Sequence, residues 1–84
     1  MSKQQRIRPV NHIEQFFSIE LKRRGMTRAD LARKLWVIEA TVYNQLKKDW
    51  RKWTLRQITD YCKASGAPLK EAMAAALQDM EEDI

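Results

Sequence analysis

The chain has 84 residues, which leaves room for one hydrophobic core and excludes a multi-domain enzyme. Sixteen Lys and Arg against eleven Asp and Glu give a formal charge of +5, so an acidic partner is expected, of which nucleic acid is the commonest. Two Gly and two Pro leave little turn material for a sheet, which predicts an all-α fold, and a lone Cys62 with a lone His12 excludes a disulfide framework and a four-ligand zinc site.

Residues 1–10 form a basic arm carrying Lys3, Arg6 and Arg8, without the apolar stretch of a signal peptide. No run of about eighteen apolar residues follows, so a cytoplasmic protein with no membrane partner is expected. Asn11 with Glu14 reads as a capping box, and Ile13, Phe16, Phe17 and Leu21 recur at helical spacing up to Gly25. Thr27 with Asp30 repeats the cap, a role that accounts for both residues, and Leu31, Ala32 and Leu35 give a second helix over 28–35 an apolar face. A third helix is predicted over 39–47. There Val42 and Leu46 face inward, while Ala40, Tyr43, Asn44 and Lys47 share the opposite, mainly polar face.

The segment 48–53, dense in charge and aromatics and without a period, reads as an exposed loop. Thr54 and Gln57 cap a fourth helix with apolar positions Leu55, Ile58, Tyr61 and Cys62, ended by Ser65 and Gly66. Pro68 opens a fifth, along which Leu69, Met73, Ala76 and Met80 make one apolar seam that suits either docking on the domain or a dimer contact. The folded domain is thus expected over 11–80, with an acidic tail at 81–84. Residues 1–53 hold thirteen Lys and Arg against five Asp and Glu, a net +8, whereas residues 54–84 hold three against six, a net −3. The basic body is therefore the part expected to meet a polyanion.

Two short helices joined by three residues, the first carrying the small Ala32 and the second a polar outer face, are what a helix-turn-helix over 27–47 requires. The stretch from Thr27 to Leu35, then Val37 and Ala40-Thr41-Val42, resembles the Cro/repressor-type (lambda-repressor-like) helix-turn-helix proteins of phages and bacteria. The resemblance runs from the first helix to about Ala72. It implies a compact five-helix domain that binds double-stranded DNA as a dimeric transcription regulator, in a bacterial nucleoid or a phage-infected cell.

Carried over by residue, the resemblance makes Glu39, Ala40, Thr41, Tyr43, Asn44 and Lys47 base-facing, with Arg28, Lys48, Arg51 and Lys52 on phosphates. Asn44 is suited to adenine, and Ala40 or the Thr41 methyl to a thymine methyl. Trp36 stands where that family usually has a turn glycine. Because Trp disfavours positive φ, a reshaped turn is expected, with Trp36 and Trp53 in the core or at its edge. Trp50 admits either a core or a base-stacking role. Gln45 occupies a position that is often apolar in the family, leaving Leu46 to take over its packing.

Two other readings remain at this stage. One is a DNA-binding component of a larger assembly, such as an antitoxin or a phage packaging subunit, whose last helix recruits a protein partner. The other is a protein-interaction domain that has kept the fold without DNA binding. No phosphate loop, paired-carboxylate cleft or nucleophile–base pair is visible, so no enzyme activity, cofactor or metal is expected.

Overall fold

In the computed structural model, which describes residues 11–83, the elements are α1 (His12–Arg23), α2 (Arg28–Leu35), α3 (Glu39–Leu46), α4 (Leu55–Ser65) and α5 (Leu69–Glu82), with a single 3-10 turn over Trp50–Lys52. No strand occurs among the described residues. The basic arm at 1–10 and Ile84 lie outside them. None of the described helices is long and apolar enough to cross a membrane.

Local chemistry sets most of the boundaries. At α2 the Thr27 hydroxyl accepts from the Asp30 N–H (3.1 Å), and the Asp30 carboxylate accepts from the Thr27 N–H (2.9 Å). Thr54 and Gln57 repeat that reciprocal pair at α4, at 3.0 and 2.9 Å. Each box satisfies N–H groups that a helix start otherwise leaves without partners. Gly66 ends α4 at φ 80°, a left-handed residue that glycine adopts freely.

Helix α1 starts after Asn11 as expected, but the group that caps it differs. Asn11 makes no side-chain cap; its amide instead donates to the Lys48 carbonyl at 3.3 Å. The cap comes from the far end of the chain, where the buried Asp79 carboxylate accepts from the His12 N–H (2.7 Å) and the Ile13 N–H (3.1 Å). His12 and Glu82 add a contact of 2.8 Å beside it. The first turn of α1 and the last turn of α5 are thereby one unit.

The core gathers Ile13, Phe17 and Leu21 from α1, Leu31 and Ala32 from α2, Val42 and Leu46 from α3, Ile58, Tyr61 and Cys62 from α4, and Ala72 and Ala76 from α5, with Trp53 between. Trp53 lies parallel to Phe17 at 5.6 Å between centroids and edge-on to Tyr61 at 5.1 Å. Helix α1 packs chiefly on α5, and α2 on α3 and α4. Burial pushes the Cys62 thiol up, reinforced by the charge of Glu20, so it stays a protonated apolar filler at neutral pH.

Further assignments need correction. Segment 48–53 is no open loop: Asp49 caps the 3-10 turn through the Arg51 N–H (2.9 Å), and the Trp53 indole donates to the Lys48 carbonyl (3.2 Å). Leu55, at the first position of α4, is exposed instead of inward. The seam of α5 is split, because the buried face is Ala72, Ala76 and Asp79, while Leu69 and Met80 are exposed and Met73 is half-buried. Turning Asp79 inward to cap α1 rotates the helix away from the Leu69–Met73–Met80 line. The helix also continues through Glu82, so Glu81 and Glu82 of the expected acidic tail belong to its last turn.

Candidate nucleic-acid interface

Helix α3 is fixed from behind and bare in front. Val42 and Leu46 are buried in the core, and Gln45 is buried with them. The Gln45 amide donates to the Lys52 carbonyl at 3.3 Å, and its oxygen accepts from Gln57 at 3.4 Å. A polar residue therefore stands at this inward position because the 48–53 segment and the α4 cap supply partners for it. Leu46 packs beside it and does not replace it, so α3 keeps Ala40, Asn44 and Lys47 at the centre of its outer face.

All six base-facing candidates, Glu39, Ala40, Thr41, Tyr43, Asn44 and Lys47, are exposed. Helical periodicity puts Tyr43 and Glu39 on one flank of the central row and Thr41 on the other. The Tyr43 ring is held between two cations: the Arg28 guanidinium at 5.0 Å and the Lys47 ammonium at 4.9 Å from its centroid. Arg28 comes from the first turn of α2, so the ring ties the two helices together across their outer surface. Lys47 also lies 3.6 Å from the Glu14 carboxylate.

The four candidate phosphate contacts separate into two groups. Arg28, Lys48 and Lys52 are exposed, and the backbone carbonyls of Lys48 and Lys52 anchor their segment through Trp53, Asn11 and Gln45. Arg51 is engaged within the chain. It pairs with Asp49 at 3.4 Å and with Asp83, and it lies over the Trp50 ring, whose indole also donates to Asp83 at 3.1 Å. The acidic end of α5 thus draws Arg51 and Trp50 toward itself. Sequence reasoning missed Lys22, an exposed α1 residue that lines one cleft with Arg28 and Glu39. Its place on another helix hides it from any reading of 27–47 alone.

The link between α2 and α3 holds the largest surprise. The Trp36 N–H donates to the Arg33 carbonyl (3.2 Å) and the Val37 N–H to the Ala32 carbonyl (3.0 Å), the paired closure of a helix that ends on a left-handed residue. Trp36 is that residue, at φ 63° and ψ 39°. The expected avoidance of positive φ does not occur; the tryptophan adopts the left-handed conformation, at a cost of about 1–2 kcal/mol for an L residue. Nor is Trp36 in the core or at its edge, because it is 93% exposed. At the other end of α2, the Thr27 backbone N–H, then the Thr27 side chain and Arg33, hold the Asp30 carboxyl below its ordinary range.

Comparison with known protein families, with curated proteins and with solved structures finds no match to the chain.

Proposed function

We propose that the chain is a sequence-specific, double-stranded DNA-binding regulator of the Cro/repressor type, with α2, the link and α3 as its helix-turn-helix. The observation that carries this reading is the outer face of α3. Ala40, Tyr43, Asn44 and Lys47 are exposed together, on a helix locked from behind by Val42, Gln45 and Leu46. A helix so presented fits a major groove about 12 Å wide, with Asn44 able to pair with adenine and the Ala40 methyl placed for thymine. Arg28 at the α2 start, Lys48 and Lys52 supply phosphate contacts. The left-handed link at Trp36 has the backbone that the family's turn glycine would give.

Operator binding calls for two copies with their α3 helices about 34 Å apart. The exposed Leu69, Leu77 and Met80, with the half-buried Met73, offer an apolar stripe on α5 for that pairing. The same stripe favours the second reading, a DNA-binding component of a larger assembly that recruits its partner through α5. No step of either reading involves catalysis or a cofactor.

Selection of bound fragments from the source replicon's DNA at about 150 mM salt tests the function, because non-specific binding is weak there. A palindrome with half-sites about 10 base pairs apart is expected. On that duplex, Asn44→Ala with Lys47→Ala should weaken binding by about a hundredfold, the loss of two specific contacts. Unchanged binding by this double variant would sink the assignment of α3 to the groove.

A further inference from the structure

Three apolar residues stand out of the surface in the link: Trp36 at 93%, Ile38 at 71% and Val37 at 39% exposure. The backbone there is closed by its own hydrogen bonds to Ala32 and Arg33, none of which involves the indole. Trp36 therefore carries left-handed strain without packing against the core in return. Strain that the fold does not use marks a residue whose side chain acts outside the fold.

The position of the link narrows what it meets. It enters directly into the first turn of α3, beside Glu39 and Ala40, and follows the last turn of α2, where Arg33 and Lys34 are exposed. Arg33 is partly neutralised by Asp30, while Lys34, two positions before Trp36 in the chain, stands exposed. A bare indole that follows two exposed cations of α2 in the chain, at the leading end of a helix read as groove-bound, suits a surface that alternates charge with apolar rings. The sugar–phosphate wall of a duplex has that character: phosphate oxygens for Lys34 and Arg33, and deoxyribose faces for the indole.

On the reading that α3 enters the major groove, we infer that Trp36, with Ile38 beside it, is a DNA contact that packs on the deoxyribose wall bordering the groove. The contact adds apolar area next to the base-facing row and reads no base edge itself. It explains why a tryptophan occupies a position that glycine fills without strain.

Trp36→Gly and Trp36→Ala separate the ring from the backbone. Gly relieves the left-handed strain, so the melting temperature should rise by about 4–8 °C, while Ala keeps most of the strain and should leave it nearly unchanged. Both variants lose the ring. Each should bind a labelled duplex taken from the enriched fragments about tenfold more weakly than the unaltered protein. Because no phosphate contact is removed, the slope of log affinity against log salt should stay the same. Unaltered protein that binds while both variants bind equally tightly would overturn the Trp36 contact and leave the regulator reading intact. A flattened salt slope would also overturn it, by tracing the loss to displaced cations. If the unaltered protein binds no duplex, the DNA-binding reading fails, and the contact fails with it.

Discussion

Two tryptophans sit in short segments flanking α3, and their fates are opposite. Trp53, at the end of the 48–53 segment, is 7% exposed, stacked on Phe17 and bonded through its indole to the Lys48 carbonyl. Trp36, in the link before α3, is 93% exposed. Both segments adjoin the same helix and both were expected at the core. The difference lies in the backbone: the 3-10 turn packs on α5 and returns Trp53 to Phe17 of α1, whereas the left-handed residue at 36 throws its side chain outward. A large aromatic side chain stabilises a small domain only where the chain path returns it to the interior.

The sharpest way to break that comparison is to truncate both rings. Trp53→Ala should lower stability by about 3–5 kcal/mol, enough to threaten folding in a domain of this size. A chemical-denaturation midpoint that barely moves would show that Trp53 is not the inward partner described here. Trp36→Gly should act with the opposite sign. Asp79→Ala comes next, since it strips two α1 N–H groups of their acceptor and should cost about 2 kcal/mol. The loss should register as reduced helical signal as well as a lower midpoint; an unchanged melt would mean that water or Glu82 caps α1 equally well.

The smallest effect is a pH dependence. The lowered folded pKa of Asp30 means that its contribution is complete above the ordinary value of 3.8 and is lost as pH falls through the folded value. Asp30→Asn should therefore melt below the unaltered protein at neutral pH, and the gap should close in acid. A gap that persists at the lowest pH would trace the effect to lost hydrogen bonds and not to charge.

What the sequence revealed was whatever four or five consecutive residues could decide. The Thr27–Asp30 and Thr54–Gln57 boxes close within three residues, so their helices were predicted with the observed starts. The exposed row on α3 followed from periodicity alone. Asn11–Glu14 has the same spacing and also marks the observed start, but the Asn11 side chain does not cap it; the acceptor is Asp79, 67 residues from His12. That one buried carboxylate also rotates α5 and so splits the Leu69–Met80 seam, a result no local pattern contains. Gln45 was read as a departure because its acceptor and donor, Lys52 and Gln57, lie in the next two elements. At Trp36 the propensity argument correctly measured the strain and mistook its outcome.

The bond between Asp79 and the start of α1 also has a kinetic side. Forming it closes a loop of 67 residues, so the first turn of α1 gains its acceptor only after α5 has docked. Amide protons of Ile13 and its neighbours should then exchange with solvent at the rate at which α5 lifts off, and not at the faster rate of a fraying end. The two ends of the described chain would open and close as a single cooperative unit.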